Sequence, residues 1–338
     1  MLHPLARGLE PAGFIHSTTG GTAMSRAFLT AIAAASVILG PGSSRGAEAP
    51  DPFRFIVIPK VVHPWYEQVE AGAREQAQFL EAQTGKVFHV DYRAPERAEA
   101  KLQNRLLEQA LAEAPDGIAI DLLDPDANRP FLQAVLDRNI PLVLFDSESP
   151  PDLALPSIGN DFGAQGRMAA ERLVQLMGGS GKVAIMQGVP TAPNHRIRFE
   201  AHKAVFARHP GIQVVAEPAD HDDIAIAEQE ARKVLEAHPD LAGFVSCNAS
   251  GPIGIGRAIA AAGRAGTVHS VGIDDLEALL ELIRAGVVDS SLSTKPKMQG
   301  SWAITSLWMA RMGRPLPQYI DTGIAHVTRD GLDGYVGH

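Results

Sequence analysis

What most constrains the fold of this chain is a rhythm. From residue 53 onward, short apolar runs alternate with longer stretches whose apolar residues recur at helical spacing. Phe53 to Pro59 reads as a strand, Tyr66 to Thr84 as a helix closed by Gly85, and Val87 to Tyr92 as the next strand. A helix from about Glu96 to Ala114, a strand at 117–120, a helix from Asn128 to Arg138 and a strand from Pro141 to Phe145 follow. After residue 160 the rhythm restarts. Helices are expected at 163–177, 195–208, 224–238, 254–262 and 276–285, and strands at 182–187, 212–217, 242–247, 268–273 and 288–292. Strands joined through helices pair in parallel by right-handed crossovers, so each array predicts a doubly wound open sheet covered on both faces. The fold class is α/β with two lobes of one architecture, and ligands of such sheets gather at the C-terminal ends of the strands.

The first fifty residues have a different character. Met24-Ser25-Arg26 opens a short basic segment, and Ala27 to Gly40 is an uncharged apolar run. That run is shorter than the ~20 residues that span a bilayer. A Gly/Ser-rich stretch then ends in Ala47-Glu48-Ala49, the small-x-small pattern of a signal-peptidase site. The reading is a leader over 1–49 that includes a cleaved signal peptide at 24–49, with the mature chain beginning near Pro50; an uncleaved anchor is the alternative. Residues 1–23 lack signal character, consistent with a start at Met24. The one cysteine, Cys247, follows an apolar run and reads as a buried strand residue; no lipobox precedes the mature start. These features predict a soluble periplasmic protein. A net charge of −9, with no basic stripe, argues against nucleic acid as a partner.

Polar and aromatic residues cluster at the predicted strand ends. After the first strand stand Lys60, His63, Pro64, Trp65 and Tyr66. Adjacent aromatics there can cover the apolar face of a sugar ring, or serve as one core residue and one helix staple. Asp121 follows the third strand, and Phe145-Asp146-Ser147-Glu148 ends the fourth. A carboxylate can accept two hydrogen bonds from vicinal hydroxyls, though Asp146 could equally cap its loop. The second array carries Asn194-His195-Arg196 with Arg198 beyond, then Asp220-His221-Asp222, Asn248 and Asp274-Asp275. Arg196 would offer hydroxyls or a ring oxygen a fork of donors. His63, His195 and His221 with Asp146 and Glu148 suggest a metal site only weakly, because no two of the histidines share the short spacing of most metal ligand sets. No metal or cofactor is expected.

Several segments together carry a family likeness. They are His63-Pro64-Trp65-Tyr66, Phe145-Asp146, Pro193-Asn194-His195-Arg196-Ile197-Arg198-Phe199, Asn248-Ala249, Val271-Gly272-Ile273-Asp274, and Tyr319 to Gly323 followed by Val327-Thr328. In these, from Phe53 to about Tyr335, the chain resembles the ribose-binding branch of the type I periplasmic binding proteins, the sugar receptors of ATP-driven importers. The resemblance implies that Trp65 and Tyr66 sandwich a sugar, with His221 at the place of the second lobe's aromatic. It implies that Asp146, Arg196, Asn248 and Asp274 hold hydroxyls and that Thr294 lies at the last hinge. Lys60, His63, Asp121 and Glu148 complete the expected ligand-binding set. It also implies lobes at 53–160 plus 295–323 and at 161–294 plus 324–338, joined by a three-strand hinge. Ser147 stands where the family has an arginine, and Asp121 and His63 where it has asparagines, so ribose itself is not the expected ligand. The expected partners are a monosaccharide and an importer permease, with the receptor a monomer. An exported sensor feeding a membrane kinase, or a receptor for a non-sugar molecule, are the alternatives. No Gly-x-Ser-x-Gly, His-Glu-x-x-His or Walker A motif is present, and no enzyme is expected.

Overall fold

A computed structural model describes residues 52–335. The leader at 1–49, its signal peptide at 24–49 and the cleavage site near Pro50 lie outside the described residues.

The first lobe is built from β1 (Phe53–Ile58), α1 (Pro64–Thr84), β2 (Phe88–Tyr92), α2 (Ala100–Ala112), β3 (Gly117–Ile120), α3 (Pro125–Asp137), β4 (Leu142–Phe145) and β5 (Ser157–Gly159). The second contains α4 (Phe162–Leu176), β6 (Ser180–Met186), α5 (Pro193–Phe206), β7 (Gly211–Ala216), α6 (Ile224–Ala237) and β8 (Leu241–Ser246). It continues through α7 (Gly251–Ala261), β9 (His269–Ile273), α8 (Glu277–Arg284) and β10 (Ser290–Ser293). The chain then returns to the first lobe for α9 (Pro296–Arg311) and β11 (Tyr319–Asp321), and ends the described region in β12 (Ala325–Thr328) of the second.

The two sheets have matching orders, β11-β5-β4-β3-β1-β2 and β12-β10-β9-β8-β6-β7. Every pairing is parallel except β10 with β12. β3 and β4 are buried at every position, as central parallel strands with helices on both faces must be. In each lobe the strand order reverses beside its first strand, between β1 and β3 and between β6 and β8, which opens a crevice at the carboxyl ends. The chain passes between the sheets three times: from β5 to α4, from β10 to α9, and from β11 to β12.

Some element bounds differ from the sequence reading. α1 starts two residues earlier than expected because Pro64 fits the first helical position and His63 Nδ1 accepts from the Trp65 N–H at 3.1 Å. The last helix and three short strands, β5, β11 and β12, escape the apolar-run pattern; the strands have three, three and four residues. The strand expected at 288–292 is β10, shifted to Ser-Ser-Leu-Ser and wholly buried. α9 is buried both against α1 and under the first sheet, which erases a single apolar stripe.

α9 closes on α1 backbone to backbone. A Cβ at Gly300 would lie 2.0 Å from Val69 O, and one at Gly72 1.9 Å from Lys297 O. Gly300→Ala is therefore expected to destabilise the protein by roughly 1–3 kcal/mol, the usual effect of overpacking. Denaturant unfolding checks it; an unchanged midpoint would mean that the helices separate freely.

Candidate functional site

Residues at the strand ends of both lobes line a cavity. From the first lobe it is lined by His63, Trp65, Tyr66 and Asp146; from the second by His195, Arg198, Asp222, Asn248, Ala249 and Asp274.

Lys60 lies behind the first-lobe wall, completely buried at the end of β1. Its ammonium donates to Asp121 Oδ2 at 2.5 Å and to Asn194 Oδ1 at 3.2 Å, and stands 3.7 Å from Asp146 Oδ2. Asp121 also accepts from the Tyr66 hydroxyl at 2.7 Å and from Ser147 Oγ at 2.5 Å. Burial pushes the Asp121 carboxyl up to about 7 against the pull of Lys60. Asp121 thus anchors Lys60 and Tyr66 and does not face the cavity itself. Where the family likeness led us to expect an arginine beside Asp146, Ser147 turns to Asp121 and the positive charge arrives from Lys60.

Asp146 receives the Asn194 amide on Oδ2 at 2.6 Å, a bond between the lobes. Its other oxygen, Oδ1, is buried without a hydrogen-bond partner and lies 4.0 Å from Arg198 Nη2. That gap is the width a bridging hydroxyl would fill. Arg198 is fixed by donating from Nε to Gln165 at 2.7 Å and from Nη1 to the Cys247 carbonyl at 3.0 Å, with its guanidinium stacked on Phe162. Trp65 and Tyr66 meet edge to face at 5.0 Å, and the Trp65 indole N–H donates to Thr294 Oγ1 at 3.0 Å. Thr294 in turn donates to Asp274. Thr294 therefore holds a cavity aromatic and a cavity carboxylate at once, one from each lobe.

Both cavity imidazoles are neutral. Burial lowers His63, and lowers His195 to about 3. Each Nδ1 accepts a backbone N–H, His63 from Trp65 and His195 from Val189 at 2.9 Å, so each ring carries its hydrogen on Nε2. The His63 Nε2 donates across the lobes to Ser250 Oγ at 3.0 Å. On the second lobe the Asn248 amide donates to Asp220 at 2.7 Å and Asp222 at 2.8 Å. Asp146, Asp222 and Asp274 all hold left-handed backbone, with φ of 45°, 63° and 69°. Non-glycine residues pay for that conformation, and it concentrates at functional sites.

Nine expected residues thus fall in or directly behind one cavity: Lys60, His63, Trp65, Tyr66, Asp121, Asp146, Asn248, Asp274 and Thr294. Three do not. Arg196 and Glu148 are exposed and line a separate outer pocket, and His221 is exposed while its neighbour Asp222 turns inward. The signal for Arg198 was present in the sequence. With Pro193 opening α5, residues 194, 195, 198 and 202 share one helix face, and Arg196 points away from it. Nothing local marks Asp222 over His221, because two consecutive positive-φ residues decide it.

Because His195 is neutral when folded but takes a proton near 6.5 when unfolded, its contribution to stability falls as pH drops below 6.5. Between pH 8 and pH 5 this one group should remove about 2 kcal/mol from the wild type, a loss that His195→Gln avoids. Unfolding titrations of both proteins at the two pH values check this; parallel losses would mean that the imidazole is protonated in place.

Comparison with known proteins places these features in a family. Residues 55–315 match the family model of the periplasmic binding protein domain. A xylose/arabinose-binding protein of Sulfolobus acidocaldarius is 26% identical over 248 residues, covering 68% of this chain and 61% of that protein. A D-ribose/D-allose-binding protein of Pseudomonas aeruginosa is 27% identical over 255 residues, covering 73% and 79%. Among solved structures, an ABC transporter solute-binding protein from Burkholderia graminis in complex with D-arabinose superposes with a TM-score of 0.79 at 26% identity, covering 85% of this chain and 99% of that one. One from Agrobacterium vitis with bound D-fucose gives 0.78 at 26% identity, covering 83% and 97%.

Proposed function

We propose that this chain, which belongs to the periplasmic binding protein family, captures a monosaccharide between its lobes and presents it to an ABC importer in the periplasm. The observation that carries this reading is the polar gap between Asp146 Oδ1 and Arg198 Nη2, 4.0 Å apart in a cavity walled by Trp65 and Tyr66. A hydroxyl there accepts from the guanidinium and donates to the carboxylate, one group reaching both lobes. Truncation of either partner would leave the other buried and unsatisfied.

Binding, and not catalysis, is what the side chains suit. His63 donates from Nε2 to Ser250 Oγ and accepts a backbone N–H on Nδ1, which leaves neither ring nitrogen free to take that hydroxyl's proton. The thiol of Cys247 is fully buried and pushed well above its ordinary range by that burial. Closure follows from differential contact. A ligand touched by Asp146 and Trp65 on one side and by Arg198, Asp222 and Asn248 on the other favours the closed arrangement by the contacts it lacks in an open one. The proposed lobes are 53–160 with 295–323 and 161–294 with 324–338, of which 336–338 lie outside the described residues. Membership of the family supports a receptor working outside the cytoplasm; among the described residues no helix is long and apolar enough to cross a membrane.

A melting-temperature screen against pentoses, hexoses, deoxysugars and polyols is expected to select a sugar. For that sugar, Arg198→Ala should lose roughly 2–5 kcal/mol of binding in calorimetric titration, the range for truncating a buried charged contact. Arg196→Ala should stay within about 0.5 kcal/mol, as an exposed position would. The reverse ranking would move the ligand to the outer pocket.

A further inference from the structure

The cavity and the shell directly behind it hold five buried carboxylates, Asp121, Asp146, Asp220, Asp222 and Asp274, against two buried cations, Lys60 and Arg198. Such an excess of negative charge inside a protein has to be neutralised. Lys60 is committed to Asp121 and reaches Asp146, and Arg198 stands at 4.0 Å from Asp146 only. Among the described residues, neither Asp222 nor Asp274 has an ion-pair partner.

Protons account for much of the excess, since burial raises Asp121 to about 7 and raises Asp146 as well. Burial first, and then the charge of Asp222, hold Asp220 well above the ordinary carboxylate range, whereas Asp222 lies below it. Burial raises Asp274 to about 7, and its Oδ1 accepts from the Thr294 hydroxyl. The imidazoles beside Asp222 do not make up the remainder. Each uses Nδ1 as an acceptor for a backbone N–H, and protonating that nitrogen would break the bond. Asp222 is left as a cavity-lining carboxylate that accepts from one amide, Asn248 Nδ2, and is reached by the charge of Lys60 only at longer range than an ion pair. The same balance disfavours a ligand bringing another negative charge.

We propose that the ligand is itself cationic: an amino- or imino-substituted monosaccharide whose protonated nitrogen lies against Asp222 while a hydroxyl bridges Asp146 and Arg198. The inference rests on the carbohydrate reading of the cavity and narrows it to one charge class. It gives Asp222 the specificity-determining role and leaves Asp146 and Arg198 the role of recognising hydroxyls common to neutral and amino sugars.

The test is calorimetric titration of the full chain at about pH 6.5, where an aliphatic amine near the usual α-amino range is protonated. Three sets matched in hydroxyl stereochemistry are compared: neutral hexopyranoses, their 2-amino, 6-amino and 5-imino derivatives, and their uronic acids. The expected result is an amino or imino sugar binding at least roughly tenfold more tightly than its neutral parent, with that preference lost as pH rises through the amine's own titration. Asp222→Asn, close in shape to the wild-type residue, should weaken the amine by roughly thirtyfold or more, the effect of removing one partner from a buried charge pair, and so abolish the preference for the amine over its neutral parent. The wild-type comparison and its pH dependence stand even if that variant fails to fold. A neutral sugar or a uronate binding as tightly as the amine overturns this inference and leaves the sugar-receptor reading intact. No binding from any of the three sets overturns both.

Discussion

Lys60 sits with no exposed surface at the end of the first strand. An ammonium in that position is stable only if carboxylate and amide oxygens surround it, because taking it out of water costs several kcal/mol. Asp121 supplies one oxygen from the same lobe and Asn194 another from the other lobe, with Asp146 close by. The rest of the site depends on this arrangement. Asp121 holds the Tyr66 hydroxyl and Ser147, and Asn194 holds Asp146 Oδ2. One buried cation therefore positions an aromatic wall, a ligand-facing carboxylate and the meeting of the two lobes.

The architecture also explains how the closed arrangement can be reversible. The contacts joining the lobes around the cavity are polar: Lys60 and Asp146 with Asn194, His63 with Ser250, and Thr191 with the Leu123 carbonyl. Beside them lie a small apolar cluster of Leu123, Val189 and Ala192, and the contact of Ala249 and Leu276 with the first lobe's core. Each of these polar groups can exchange its partner for water when the lobes part, so the net gain from closing is small for any one bond. The other large apolar clusters stay within their own lobes. A ligand with contacts on both sides would then favour the closed arrangement.

Much of this was legible in the sequence, for identifiable reasons. Parallel strands buried on both faces are continuous apolar runs, so β1, β3, β4 and β8 stand out, and the positions after them fall at the cavity. Residues fixed by their place after such a strand, such as His63, Asp146, Asn248 and Asp274, therefore line the cavity as a group. The hidden elements are those too short to make an apolar run: the three-residue β5 and β11 and the four-residue β12. Site residues were misjudged where orientation depends on helix phase or on backbone torsion. Arg196 and Arg198 differ only in the face of α5 they occupy. His221 and Asp222 differ through a left-handed turn that polar loop residues do not announce. The role of Asp121 was misread for another reason: its partners, Lys60, Tyr66 and Ser147, converge only in three dimensions.

The central claim is that a sugar occupies the space between Asp146 and Arg198 and holds the lobes together. The most direct measurement is a crystal structure with a sugar that raises the melting temperature. The account predicts one ligand hydroxyl within hydrogen-bond distance of both Asp146 Oδ1 and Arg198 Nη2, with the ring against Trp65. A ligand bound in the outer pocket beside Arg196 and Glu148, with the Asp146–Arg198 gap filled by solvent, would contradict it.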